Sequence, residues 1–426
     1  MEPLPEDRAE AVFEDYKLPY GDAQAVVEAN RCLYCFDAPC IKACPTGIDI
    51  PEFIRKIATG NVEGSARTIF SSNILGMSCA RVCPVEVLCV GDCVYNQLEV
   101  PPIQIGRLQR YATDKAYAAG WRFFEAGPDT GRSVGLIGAG PASLAAAHEL
   151  RRMGHRVVIY ERRDVLGGLN STGVAPYKMK SDRALDEVAW VLGIGGVEVR
   201  TGVRVPEDVS YDDLERDHDA VFIGVGLGAD RLLALPGADL AGVRGAVAWI
   251  EEMKLGPTAA PRRAVVVGGG NTAVDAVREL VGVGVTEVTL AYRGDESRMS
   301  GYAHEWDAAK KSGVRALWSA TPTAFLPGDD GAVGGVRFTC PGGVVDVPAD
   351  LVLLAIGQEK LGDRFAALEG ITIDGGTIVV STSGATGRPR WYAGGDCANG
   401  GKEVVNAVAE GRDAARAIHL ALTGGS

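Results

Sequence analysis

The sequence predicts an α-helical, cysteine-bearing domain followed by two α/β domains, the second inserted into the first, and three observations predict it. Eight of the ten cysteines fall between Cys32 and Cys93, in a stretch that otherwise reads as helices such as IPEFIRKIATGN and IGRLQRYATDKAYAAG. After a polar, glycine-containing linker, EAGPDTGRS, a strand–glycine turn–helix–strand unit occurs twice. Near the C-terminus a strand, Trp391-Tyr392-Ala393, and a helix-like segment, VVNAVAEGRDAARAIHLAL, complete the first α/β domain. At 426 residues the chain has room for about three domains of ~150 residues. The expected domains are residues 1–125, residues 126–245 joined by 359–426, and residues 246–358 between them.

Composition narrows the class. The net charge of −12 argues against nucleic acid as the main partner, because phosphate binding needs concentrated Lys and Arg. No run approaches the ~20 apolar residues of a membrane helix, and MEPLPEDRAEAVFEDYK is acidic where a secretory signal is basic and apolar. A cytoplasmic protein is therefore expected, and there such crowded cysteines suggest metal binding rather than disulfides.

The first element is the cysteine cluster: Cys32-x2-Cys35-x4-Cys40-x3-Cys44-Pro45, then Cys79-x3-Cys83-Pro84-x4-Cys89-x3-Cys93. Thiolates in sets of four hold iron–sulfur cubanes, and a tight group ending in Cys-Pro is similar to bacterial ferredoxins, so two 4Fe–4S clusters are the natural count. Two four-cysteine structural zinc sites are the competing reading, in a nucleotide-binding module without turnover. The Cys-Pro pairs and a neighbouring redox domain favour clusters. Cys340 and Cys397 stand alone and read as packed thiols.

The second element is SVGLIGAGPASLAAAHELRRMGHRVVIYERR. Gly138 permits the tight turn, and Gly140, with Pro141 and Ala142 behind it, lets backbone approach a pyrophosphate at the helix N-terminus. Ser143 replaces the usual third glycine but is small enough for helix–strand packing. Glu161 ends the next strand, where a carboxylate can accept ribose hydroxyls. Gly167, Gly168 and Leu169 follow, where backbone passes a flavin, and Gly395-Asp396 closes a later strand with an acid suited to a ribityl hydroxyl. Together they point to FAD. Mere tight αβ connections would account for the glycines, but not for two copies in the same context.

The third element is RAVVVGGGNTAVDAVRELVGVGVTEVTLAYR, where Gly268, Gly269 and Gly270 precede Asn271 and Thr272 at a helix start. The second strand ends in Arg293, and Arg298 lies nearby. These arginines can pair with the 2′-phosphate of NADP, although Asp295 and Glu296 between them would oppose it and a plain solvated surface is the bland alternative. NADPH is favoured slightly over NADH. Neither α/β domain contains C-x-x-C, so a dithiol mechanism is not expected.

With these motifs quoted, the chain resembles the electron-input subunit of the bacterial dihydropyrimidine dehydrogenase family and the N-terminal half of its single-chain eukaryotic form. Glutamate synthase small subunits and NADH-dependent ferredoxin:NADP oxidoreductase subunits are similar in the wider family. CARVCP at Cys79–Pro84, the C-x5-C-x3-C spacing from Cys83, IGRLQR at Ile105–Arg110 and the GAGPAS turn carry the likeness to the dihydropyrimidine branch. The resemblance implies that Cys32, Cys35, Cys40 and Cys93 hold one cluster. It implies that Cys44, Cys83, Cys89 and Gln109 hold the other, with Cys79 a bystander, whereas spacing alone would use Cys79. It also implies Lys402, Glu403 and Val404 near the flavin and Ala355, Ile356 and Gly357 near NAD(P). GGLNSTGVAPYKM departs from the usual glycine–isoleucine–proline pattern, which leaves contacts from Thr172 to Lys178 open.

A nicotinamide gives up two electrons as hydride, a cluster takes one at a time, and a flavin converts between them, so cofactors carry the chemistry and no side chain is expected to act as catalytic acid or base. The resemblance implies a hetero-oligomer in which an FMN-containing partner receives the electrons, with another redox acceptor as the alternative.

Overall fold

The computed structural model describes residues 4–424. The N-terminal region is helical because its apolar residues recur at helical spacing and its starts are capped. Helix α1 spans Asp22–Ala29, α2 Ile50–Ala58, α3 Val62–Ser72, α4 Gly76–Val82 and α5 Ile105–Ala118. Asp49 accepts the Glu52 N–H at 3.0 Å and Asn61 accepts the Gly64 N–H at 2.8 Å, which start α2 and α3. Phe53, Ile54 and Ile57 of α2 and Ile69 and Phe70 of α3 pack on Leu108, Ala112 and Ala116 of α5.

The first α/β unit opens with β1 (Ser133–Ile137), α6 (Pro141–Arg152) and β2 (Arg156–Tyr160), followed by α7 (Ser181–Leu192), β3 (Val197–Arg200) and β4 (Ala220–Ile223). The second sheet begins with β5 (Val243–Gly245), then α8 (Ala246–Leu255), β6 (Arg263–Val267), α9 (Asn271–Gly282), β7 (Glu287–Ala291), α10 (Ala303–Lys311), β8 (Arg315–Leu317) and β9 (Leu351–Leu354). Between β8 and β9 an antiparallel sheet of Thr321–Pro327, Val333–Cys340 and Gly343–Pro348 is inserted. The chain then returns to the first sheet with β10 (Trp391–Ala393) and ends on α11 (Val404–Thr423). The sheet orders are β10-β4-β1-β2-β3 and β5-β9-β6-β7-β8, all parallel, with Val134 opposite both Val157 and Ala220 and Val265 opposite Thr289. Parallel strands covered on both faces need near-continuous apolar runs, and β1, β4, β6 and β9 have them.

Two boundaries differ from those read in the sequence. β5 pairs with β9, so the second sheet begins at Val243 instead of residue 246. Residues 8–13, expected with the helical domain, lie instead against both α/β units, with Phe13 in the core of the second. The Ala9 N–H donates to Gly256 O at 3.0 Å, Phe13 is buried beside Trp249 and Leu280, and the fully buried Glu10 accepts the Ser181 N–H at 3.0 Å. An isolated aromatic in an acidic segment gives no periodic sign of where it will be buried.

The helical domain is held hard against the first α/β unit. Trp190 of α7 packs on Phe70 with ring centroids 4.6 Å apart and planes tilted by 31°, its indole N–H donates to Trp121 O at 3.2 Å, and Arg412 of α11 donates to Thr46 O and Ser72 O at 2.8 Å each. No helix among the described residues is long and apolar enough to cross a membrane.

Candidate functional site

A cavity of about 420 Å³ is lined by both α/β units and by the helical domain. Gly138, Gly140, Pro141, Ala142, Glu161, Gly168, Leu169, Gly395, Asp396, Lys402, Glu403 and Val404 all line it. Gly138 has φ of +95°, and a Cβ there would stand 2.6 Å from Gly224 O, so only glycine makes this turn. Pro141 then starts α6, whose N-terminus faces the cavity wall with free backbone N–H groups. Glu161 ties the turn together: its carboxylate accepts the Ala139 N–H at 2.7 Å and the Arg163 N–H at 2.9 Å. Burial pushes the Asp396 carboxyl up, and the Lys402 N–H partly offsets this at 3.2 Å.

Ser143 is the exception. It is fully buried away from the cavity, and a Cβ on Gly224 would lie 2.1 Å from its hydroxyl. Its place in the motif is helix–strand packing, the third glycine's task, and not ligand contact. On the opposite side of α6 a Cβ on Gly411 would fall 2.0 Å from Ala142 O, so α11 also crosses α6 at glycine-only distance. A cradle with a helix N-terminus, a turn that excludes side chains and a carboxylate at the strand end fits a dinucleotide such as FAD.

The second glycine turn is built alike. Gly268 lies beside Ala355, whose carbonyl would be 2.3 Å from a Cβ at residue 268, so the β6 and β9 ends bring Ala355 and the turn together. Ile356 and Gly357 continue from there, and Gly357 O accepts the Arg231 N–H at 2.9 Å. The Tyr292 ring covers Gly269, while Gly270 caps α9, which starts at Asn271 and Thr272. Asn271 lines the cavity and accepts the Tyr302 N–H at 3.0 Å. Arg293 and Arg298 are exposed, and neither has an ion-pair partner among the described residues. Glu296, expected to oppose a phosphate there, is held instead by Lys310 at 2.6 Å and the Trp306 indole at 3.1 Å.

The cysteines fall into two groups. Cys32, Cys35, Cys40 and Cys93 line a second, small cavity whose other walls include Ile50, Ile54, Ile103 and Ile105. Burial pushes the Cys40 thiol up to about 12, with Cys32, Cys93 and Cys35 adding to the shift. Around Cys83 the neighbours are Cys79, which shares a hydrogen bond with it, then Cys89 and Cys44. Buried apolar thiols with no nearby cation become thiolates only when a metal centre replaces the protons. Gln109 is buried on α5, and its amide N–H donates to Gly76 O at 2.8 Å.

Val82 and Pro84, on either side of Cys83, line the large cavity. From the same cavity wall Asn170 donates to Ser78 Oγ at 2.9 Å, and Ser78 donates to Glu187. Glu187 also accepts the Met77 N–H at 2.9 Å and the Ser78 N–H at 3.1 Å, the first turn of α4. One hydrogen-bonded chain thus joins the cavity to the helix that carries Cys79 and leads into Cys83.

The two α/β units meet over the cavity. Lys178 contacts Asp275 at 2.9 Å and Glu305 at 2.8 Å, and Tyr177 donates to Asp275. Burial alone would lower the Lys178 ammonium, but the two carboxylates reverse this and raise it. Of the open stretch, Gly173, Val174 and Lys178 line the cavity. Sequence reading missed Gly224 to Gly228, Glu251, Tyr302 and Gln358 of the same lining. The glycine-rich GVGLG after β4 was a legible signal; Tyr302 and Gln358 arrive only through tertiary packing.

Comparison with known proteins places these features. Residues 8–121 match the family described as dihydropyrimidine dehydrogenase domain II, 4Fe-4S cluster, and residues 132–411 match pyridine nucleotide-disulphide oxidoreductase. The glutamate synthase [NADPH] small chain of Escherichia coli is 33% identical over 94% of this chain and 92% of its own length. The NAD-dependent dihydropyrimidine dehydrogenase subunit PreT of the same organism is 34% identical over 94% and 95%. In fold the chain is similar to Lactococcus lactis thioredoxin reductase, with a TM-score of 0.57 and 22% identity over 69% of this chain and 99% of that one. It is also similar to Mycobacterium tuberculosis FprA in complex with NADPH, at 0.55 and 19% over 69% and 85%.

Proposed function

We propose that this chain, which belongs to the pyridine nucleotide-disulphide oxidoreductase family and carries a dihydropyrimidine dehydrogenase-type 4Fe–4S domain ahead of it, is the electron-input subunit of a dihydropyrimidine dehydrogenase. It is an NAD(P)H-dependent oxidoreductase that uses FAD and 4Fe–4S clusters. When bound, FAD supplies the conversion between a two-electron hydride and the single electrons a cluster accepts. The observation that carries the reading is the shared cavity wall. The flavin turn, the start of the NAD(P) helix and the two neighbours of Cys83 all face one space, so donor, converter and acceptor are within reach of each other.

In this reading Cys44, Cys83, Cys89 and Gln109 hold the cluster nearest the flavin. Cys32, Cys35, Cys40 and Cys93 hold the outer one. Gly138 to Ala142 and Glu161 bind the adenosine half of FAD, and Lys402 to Val404, at the start of α11, meet its ring. Gly268 to Thr272 bind the pyrophosphate of NAD(P). The unpaired Arg293 and Arg298 suit a 2′-phosphate, and the capture of Glu296 by Lys310 removes one opposing charge, so NADPH is the favoured donor. In this reading the chain is cytoplasmic, the compartment in which crowded cysteines bind metal rather than pair as disulfides.

The partner in this reading is an FMN-containing subunit that reduces a pyrimidine. The glutamate synthase small chain matches over the same span, so service to a glutamate synthase is the second reading. Reconstitution of the holo chain with each acceptor subunit separates them. NADPH-dependent uracil reduction with a dihydropyrimidine dehydrogenase catalytic subunit is expected; glutamate formation with a glutamate synthase large subunit, and none of the former, would replace the assignment.

A further inference from the structure

One pair of side chains in the cavity wall belongs to neither glycine turn. Tyr302 precedes α10, and its backbone N–H is bonded to Asn271, the first residue of α9, at 3.0 Å. Its phenol O–H crosses to the other α/β unit and donates to Glu403 Oε1 at 2.6 Å. Glu403 is the N-cap residue of α11, beside Lys402 and Val404, and these three face the cavity together with Tyr302 and Asn271. The pair therefore spans the gap between the NAD(P) helix start and the flavin side of the cavity. A dinucleotide whose pyrophosphate rests at the start of α9 and whose nicotinamide reaches a flavin would pass through that gap.

The ring that enters carries one polar substituent, a primary carboxamide, with a carbonyl acceptor and an N–H donor side by side. A hydroxyl donor next to a carboxylate acceptor is its complement. We propose that Tyr302 and Glu403 together recognise the nicotinamide carboxamide. The Tyr302 O–H donates to the carboxamide oxygen, the Glu403 carboxylate accepts a carboxamide N–H, and their mutual bond is exchanged for these two. The pair is not needed merely to tie the units together, because Lys178, Asp275 and Glu305 already do so at 2.8 to 2.9 Å. A site built to bond a polar group discriminates strongly against an analogue that lacks it, because its own groups are left unpaired.

The inference rests on the reading that NAD(P)H reduces the flavin of this chain, and its test uses the full-length holo protein. Flavin bleaching is followed with reduced NADP and with its 3-acetylpyridine analogue, in which a methyl group replaces the amide nitrogen. Wild type is compared with Glu403→Leu, Glu403→Gln and Tyr302→Phe as the ratio of kcat/KM for the two donors, so the analogue's own potential cancels. Binding of 2′-phospho-ADP-ribose, which has no nicotinamide, is the control. Glu403→Leu is expected to cut the preference for the carboxamide by roughly tenfold, the worth of about one hydrogen bond to a charged group. Glu403→Gln, which keeps a carbonyl acceptor, retains most of the preference. Tyr302→Phe weakens both donors alike, because both keep the carbonyl, and phospho-ADP-ribose binding is unchanged throughout. An unaltered ratio in Glu403→Leu, or a parallel loss of phospho-ADP-ribose binding, overturns the assignment and leaves the pair a tie between the two units. A wild-type flavin that neither NADPH nor NADH bleaches overturns the functional reading along with it.

Discussion

The Glu187 carboxylate is fully buried, and burial outweighs the Ser78 and Met77 donors to push its pKa up to about 7. A carboxyl whose folded value lies above its unfolded one holds an extra proton in the native state between the two. Its contribution to stability is therefore full below about 4.5 and is lost as pH rises to about 7, a change of about 3 kcal/mol. Glu187→Gln is expected to flatten the fall in melting temperature between pH 5 and 7; an unchanged slope would place the titration elsewhere. The cysteines offer a second test at this scale. Cys83→Ser is expected to remove one cluster, about four irons per chain, whereas Cys79→Ser leaves the iron content whole. Loss of iron in Cys79→Ser instead would restore the ligand set that spacing alone suggests. Site residues were legible in the sequence where chemistry sits in one short stretch, as at Gly138 to Ala142 and Asn271. Asn170, Tyr302 and Glu187 were not, because each owes its role to a partner more than 90 residues away, and no local pattern records that.

Among the elements, α9 and α10 present Asp275 and Glu305 to one lysine from the loop after the flavin glycines. The side chains of Lys178, Asp275 and Glu305 are mostly buried, at 14%, 16% and 8% exposure, so removing the cation leaves two carboxylates facing each other without compensation. Lys178→Met is expected to destabilise the docked arrangement by about 3–5 kcal/mol and to slow flavin reduction by NADPH. Urea unfolding and stopped-flow bleaching check it, and wild-type behaviour in both would deny the triad its role. The strand–turn–helix elements themselves were plain in the sequence because β1 and β6 are continuous apolar runs that end on glycine. The N-terminal arm was not. Ala9 to Phe13 is too short for a period to emerge, and its place on α8 is set by Phe13 and Glu10 finding a ready pocket and a buried Lys254.

At the scale of the molecule, the helical region and both α/β units share one space. The neighbours of Cys83, Val82 and Pro84, line the large cavity, while Cys32, Cys35, Cys40 and Cys93 line a separate one. The insertion of one α/β unit in the other was legible because β10 ends in Gly394-Gly395-Asp396, a second flavin motif far from the first. The way the helical domain is clamped by Trp190, Phe70 and Arg412 was not, since those contacts pair residues from distant segments. The central claim is that electrons cross from a nicotinamide to the clusters through this one space. The most direct test is an anaerobic NADPH titration of the holo chain, followed by absorption and electron paramagnetic resonance, with iron, sulfide, zinc and flavin determined on the same sample. The account predicts about eight irons and one FAD per chain, bleaching of the flavin and the appearance of a reduced-cluster signal. Zinc in place of iron, or a flavin that bleaches while every cluster stays oxidised, would contradict it.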